Sequence, residues 1–179
     1  MADITHGAWI KDGKAVDAVY QSGVKVYGRN LYIDTRDFDN PSAWTNWSNF
    51  YKTGEKFNGL AVMGMKGDWG GLGQTIQTKK GETYTFSIYA RYQSGTGKSN
   101  VYNIPNGSTV KVSQGSFQFS LNETWQRISA TFTILADGVI DTSLARTNNN
   151  TNTLLIAGPK LERGTIATPH SIAPEDILN

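Results

Sequence analysis

The chain of 179 residues contains no cysteine. That excludes a disulfide framework and any thiolate metal site, and it leaves the redox compartment unread. Charged residues are only 18% of the chain and the net charge is +2. No run of Lys and Arg occurs, so no nucleic-acid partner is expected. No stretch approaches the roughly 20 apolar residues of a membrane span, and "MADITHGAWIKDGK" lacks the apolar segment of a secretion signal; no membrane partner is expected. Apolar residues at helical spacing are missing too, apart from one turn at "PEDIL". His6 and His170 lie near the two ends, and neither has a His or carboxylate at i+4, so both are read as surface or packing residues rather than metal ligands. G-x-S-x-G, H-E-x-x-H and P-loop signatures are all absent, and no helical pattern follows the Gly-rich "GDWGGLG" (67–73), which is read as a β-turn carrying Trp69. "DTRDFD" lacks the Gly and distal Glu of a calcium loop. No catalytic constellation is found, and the chain is expected not to be an enzyme.

What is present is turn-forming and aromatic. There are 19 glycines, and aromatic residues make up 11%; with many Ser, Thr and Asn, this suggests short strands joined by turns. In "ETYTFSIYARY" (82–92), Tyr84, Phe86, Ile88 and Ala90 share one face, and Thr85, Ser87, Tyr89 and Arg91 the other. "WQRISATFTIL" (125–135) repeats the alternation, with Ile128, Ala130, Phe132 and Ile134 inward. "NGLAVMGM" (58–65), "GLGQTIQT" (71–78), "SFQFSL" (116–121) and "TLLIAGPKLE" (153–162) complete the strand set, and a strand is also read at "GRNLYID". The expected fold is all-β, an antiparallel sandwich or barrel. Residues 1–28 read as a separate small β-hairpin unit with turns at Asp12-Gly13 and Ser22-Gly23, too small to be stable alone. It is expected to serve as a tether or oligomerisation element before a domain spanning 29–179. The tract "TNNNTNT" (147–153) reads as a solvated polar loop.

Sugars present apolar C–H faces and hydroxyl rims, so a site for them needs aromatic rings and amide, carboxylate or guanidinium groups. The candidate saccharide-binding residues are Trp47, Trp69, Tyr89, Arg91, Trp44, Tyr102 and Asp68. Trp69, flanked by Asp and Gly in a turn, is expected to be exposed. Tyr89 and Arg91 lie on the polar face of a strand, which calls for a ligand cleft or a subunit contact. Trp125 reads as a core-edge residue. In "NPSAWTNWSNFY" (40–51), Trp47 is expected to meet ligand, while Phe50 and Trp44 close the core.

Four segments together, "GRNLYIDTRDF", "WGGLGQTIQTKKGETYTFSIYARYQSG", "NETWQRISATFTI" and "LLIAGPKLERGTIATPHSIAPEDI", resemble carbohydrate-binding modules of the β-sandwich (jelly-roll) type from tail and baseplate proteins of phages that infect Gram-positive, especially lactic acid, bacteria. The likeness spans about residues 29–176. It implies non-catalytic binding of host cell-wall or capsular polysaccharide, a virion location acting at the bacterial surface in host adhesion, and contacts with other phage structural subunits through the N-terminal element. Related modules hold a structural calcium. The acidic residue late in the last strand is not clear here, where "IAGPKLE" offers Lys160 and Glu162, and no cofactor is assigned. Two rival readings stand beside binding: a structural decoration domain of the tail, and a glycan hydrolase, which needs two carboxylates about 5 to 9.5 Å apart.

Overall fold

Five short strands open the chain. In the computed structural model, which describes residues 3–5, 7–47, 49–105, 111–147 and 152–178, β1 (Asp3–Thr5), β2 (Ala8–Lys11) and β3 (Lys14–Ala15) form one antiparallel sheet, and β4 (Ala18–Gln21) and β5 (Val24–Gly28) form a hairpin. The N-terminal unit is thus two small sheets rather than a single hairpin. Asp12-Gly13 and Ser22-Gly23 each carry two positive φ angles, 51° with 72° and 50° with 79°. Such mirror-image turns match the right-handed twist of the strands they join. Asn58-Gly59 repeats the device further on, with 49° and 78°.

The rest is a two-sheet antiparallel sandwich, the all-β jelly-roll type expected. The larger sheet runs β13 (Lys111–Val112), β15 (Gln126–Ala136), β11 (Thr83–Tyr92), β17 (Leu154–Arg163), β8 (Leu60–Met65) and β7 (Tyr51–Phe57). The smaller runs β10 (Thr75–Thr78), β16 (Gly138–Arg146), β12 (Gly97–Pro105) and β14 (Ser116–Leu121). A two-residue ribbon, β6 (Thr45–Asn46) with β9 (Leu72–Gly73), pairs with neither sheet but lies against β16. Between the sheets lie Tyr84, Phe86, Ile88, Ala90 and Tyr92 of β11, facing Val101, Ile140 and Leu144 of the smaller sheet. Each fully buried side chain of this kind contributes about 1.5–3 kcal/mol.

"GRNLYID" is not a strand. Asp34 and Phe38 have φ of 55° and 53°, which breaks extension, and 29–40 runs as turns that plug one end of the core. Tyr32 is buried there, its hydroxyl donating to the Thr142 carbonyl at 2.7 Å. The buried Asn30 amide donates to Thr35 Oγ1 and to the carbonyls of Pro159 and Ser171.

Residues 164–174 return along β17 and end in one helical turn, α1 (Glu175–Leu178). Beneath this return, the Lys160 ammonium donates to Thr168 Oγ1 (2.8 Å), the Pro169 carbonyl (2.9 Å) and Ser171 Oγ (3.0 Å). Glu162 accepts from Lys25 at 2.9 Å and from the Thr168 amide at 2.7 Å, and so fastens the N-terminal unit to the sandwich. The position at which the resemblance implies an acidic calcium ligand therefore supplies a cation of its own, and Glu162 is already committed. These residues do not fit a calcium ion. Among the described residues, no cluster of three or more acidic or His side chains could hold a metal. His6, for which a surface or packing role was expected, and 148–151 of the polar tract lie outside the described residues.

Candidate saccharide site

The outward face of the smaller sheet is set by its ladders. Tyr102 pairs with Ser143 and with Ser116, and Asn100 with Ala145 and Gln118. Directly paired residues point the same way, so Asn100, Tyr102, Gln118, Ser143 and, two residues before it, Asp141 share one face. Val101, Ile140 and Leu144 point into the core. The Asn100 amide donates to Tyr102 Oη at 3.0 Å, and the Gln118 amide to Asn100 Oδ1 at 3.3 Å. The face is therefore a row of amides and hydroxyls with fixed orientation.

Two tryptophans border it. Trp69 sits in a turn at φ 59°, held by its N–H to the Arg146 carbonyl at 2.7 Å. It is 52% exposed and lies 6.5 Å from the Tyr102 ring. The turn is clamped by Arg146, which is ion-paired with Asp68 and donates to the carbonyls of Gly67 (3.1 Å) and Asn152 (2.9 Å). Trp47, 41% exposed, donates its N–H to the Gly71 carbonyl at 3.1 Å, and its ring lies over Gly71. Trp47, Trp69, Tyr102 and Asp68 thus gather around one face.

Trp44, Tyr89 and Arg91 do not join them. Trp44 packs inward, 5.0 Å from Phe38 and edge-on to Tyr32 at 6.0 Å, its indole N–H donating to Asp34. With the buried Phe50, it closes the core, as expected of these two residues. Tyr89 and Arg91 lie on the outer face of the other sheet, so they cannot share a cleft with Trp69. There the hairpin of β7 and β8 and the start of β15 cover them. Phe57 stacks on Trp125 at 4.5 Å and meets Tyr89 edge-on at 5.2 Å. Arg127 lies 4.7 Å from the Tyr89 ring and Arg91 5.3 Å from Trp125. This is a satellite cluster on Leu60, Val62, Leu155 and Ala157, and Trp125 takes the edge position expected of it. Tyr89→Ala is expected to lower stability by about 1–3 kcal/mol through lost packing and to leave unchanged whatever saccharide affinity the Trp69 face has. Urea unfolding and calorimetric titration check the two halves.

The sequence reading missed Asn100, Gln118, Asp141 and Ser143. Asp141 is 0% exposed. Burial pushes its carboxyl up to about 6, and the neighbouring Thr45 hydroxyl only partly offsets this. Neither Asp141 oxygen has a hydrogen-bond partner, nor does Ser143 Oγ.

Neither protein-family models nor curated proteins return a match. Solved structures share the fold. A CBM4 module aligns with a TM-score of 0.55 at 21% identity, over 74% of this chain and 97% of its own. TmCBM61, solved in complex with beta-1,4-galactotriose, aligns with a TM-score of 0.55 at 15% identity, over 76% of this chain and all of its own. The enzymatically active domain of bacteriophage CBA120 tailspike protein 4 aligns with a TM-score of 0.54 at 10% identity, over 75% of this chain but 21% of that one. The fold is that of the carbohydrate-binding-module sandwiches.

Proposed function

We propose that the chain is a non-catalytic saccharide-binding module serving a phage tail or baseplate, where it adheres to the cell-wall or capsular polysaccharide of a Gram-positive host. One observation carries this reading: Trp47, Trp69 and Tyr102 stand around an oriented row of amides and hydroxyls on an outward sheet face. Rings stack on the sugar's C–H faces and the amides meet its hydroxyls, with no covalent step. The fold shared with modules such as the galactotriose-bound TmCBM61 supports it. The tailspike likeness and the resemblance of the sequence to phage tail modules support the virion setting. The N-terminal unit supplies the attachment to other structural subunits. Its strands pair only with one another among the described residues, and it exposes Tyr20, Val24 and Val26.

A shallow, wet site buries little area, so single-site affinity is expected between micromolar and millimolar, on the order of −4 to −8 kcal/mol. Many copies on one virion raise avidity by roughly 10² to 10⁴. Trp69→Ala is expected to weaken glycan binding about tenfold or more while leaving the fold intact, because the ring is exposed. Titration against wall polysaccharide from candidate hosts, with staining of live cells by a fluorescent fusion, tests the reading. Absence of binding to every Gram-positive surface would sink it.

A further inference from the structure

Asp141 and Ser143 are both fully buried, yet they belong to the outward face of Tyr102. What covers them is the backbone of Gly71 and Gly73. A Cβ at Gly73 would collide with Asp141 Oδ1, and one at Gly71 with Ser143 Oγ. The two glycines let this segment lie directly on a carboxylate and a hydroxyl that make no well-formed hydrogen bond, the Thr45 hydroxyl giving Asp141 only partial relief. The cover is slight. It is the two-residue ribbon pairing Thr45 with Gly73 and Asn46 with Leu72, extended by the bond from the Trp47 N–H to Gly71. A buried ionised carboxylate without a partner is strongly unfavourable, so the covered state is held against a charge that favours contact with donors.

Resting on the saccharide reading, we infer that the ribbon is a lid: when it lifts, Asp141 and Ser143 hydrogen-bond neighbouring hydroxyls of a neutral sugar, and Trp47 closes on the ring face. The preference for a neutral sugar follows from charge. Thr45 of the ribbon is the polar group acting on Asp141. Thr75 of β10 is its ladder partner. Tyr32, which approaches from the core side, feels the carboxylate and is held protonated by burial. None of these is a cation. Arg146, at the far end of the same strand, is engaged with Asp68, Gly67 and Asn152. A uronate or phosphate would meet Asp141 uncompensated.

The test compares wild type with Asp141→Asn on an array of neutral and uronate- or phosphate-bearing bacterial oligosaccharides, and by amide hydrogen exchange. Wild type is expected to bind neutral glycans, about tenfold more weakly at pH 5 than at pH 7.5. Asp141→Asn is expected to bind them about tenfold more weakly at pH 7.5, with no such pH dependence. The Trp47 amide, bonded across the lid to Gly71, should exchange several-fold more slowly in Asp141→Asn, because the lid then covers no charge. Equal glycan affinity in the two proteins, or tighter binding of acidic glycans, overturns the inference and leaves the saccharide reading standing. If wild type binds no glycan, the saccharide reading fails, and exchange decides the lid. Slower exchange in Asp141→Asn upholds it, and equal exchange overturns it.

Discussion

Lys160→Met is expected to lower the free energy of unfolding by about 3–5 kcal/mol, as breaking a buried charged network does. The ammonium is fully buried and donates to three oxygens of one returning segment: Thr168 Oγ1, the Pro169 carbonyl and Ser171 Oγ. It also lies 5.5 Å from the Tyr27 ring of the N-terminal unit. Burial pulls its pKa down to about 8, with Glu162 acting in the opposite direction, so it remains an ammonium at neutral pH. Methionine nearly matches the volume of the stem, so the loss does not come from a cavity. It comes from three acceptors deprived of a charged donor, two of them in fully buried pairs. The Thr168 amide, which donates to Glu162, should lose exchange protection along with it. Lys56→Met is the control. Lys56 is exposed, and its replacement is expected to change stability by no more than about 0.5 kcal/mol. An equally small effect at Lys160 would refute the account. Urea unfolding of both variants at pH 7 measures it.

Acidification should be nearly as damaging, through His170. Its ring lies against Gly158, a bulge residue at φ 53°, where an added Cβ would come within 3.0 Å of the imidazole. Thr35 Oγ1, which accepts from Asn30, is 3.0 Å from Nε2. Burial, then the positive charges of Arg127 and Lys160, push its pKa down to about 3 from the usual 6.5. The unfolded chain therefore binds a proton that the folded one refuses. The stability concerned is fully present above about pH 6.5 and is lost as pH falls toward 3, at up to roughly 1.4 kcal/mol per pH unit and on the order of 2–4 kcal/mol in all. Asp141 acts in the opposite sense. Its folded pKa of about 6 lies above the usual 3.8, so protonation of the folded state regains stability between about pH 6 and 4. His170→Gln should flatten the acid limb of the midpoint–pH curve, and Asp141→Asn should steepen it. A wild-type curve that is flat from pH 7 to 4 and is unchanged by His170→Gln would contradict this.

Sequence and structure divide the protein unevenly. The alternation in 82–92 and 125–135 fixed the inward set of β11 and β15, because a strand with one face on a core must alternate. The two-residue Asp12-Gly13 and Ser22-Gly23 turns were legible because few residues tolerate positive φ at both central positions. The smaller sheet was half legible: its edge strands β10 and β14 fall in segments read as strands, and its two central strands do not. "GKSNVYNIP" and "GVIDTSLAR" carry few core residues, chiefly Val101, Ile140 and Leu144, and polar side chains on the outward face, so neither segment looks like a strand in isolation. Asn100, Asp141 and Ser143 went unread for that reason, and Gln118, on a strand that was read, because its partner Asn100 was not. Trp47, Trp69, Tyr102 and Asp68 could be picked as polar-segment aromatics and a neighbouring carboxylate, but their convergence depends on a turn fastened by Arg146 to a strand far along the chain. Tyr89 and Arg91 mark the limit. Alternation correctly put them on the face away from the core, and only the packing of Phe57 and Trp125 across that face decided that it is covered. Periodicity is a property of one strand, whereas the opening or closing of its outer face is decided by whatever the rest of the chain lays over it.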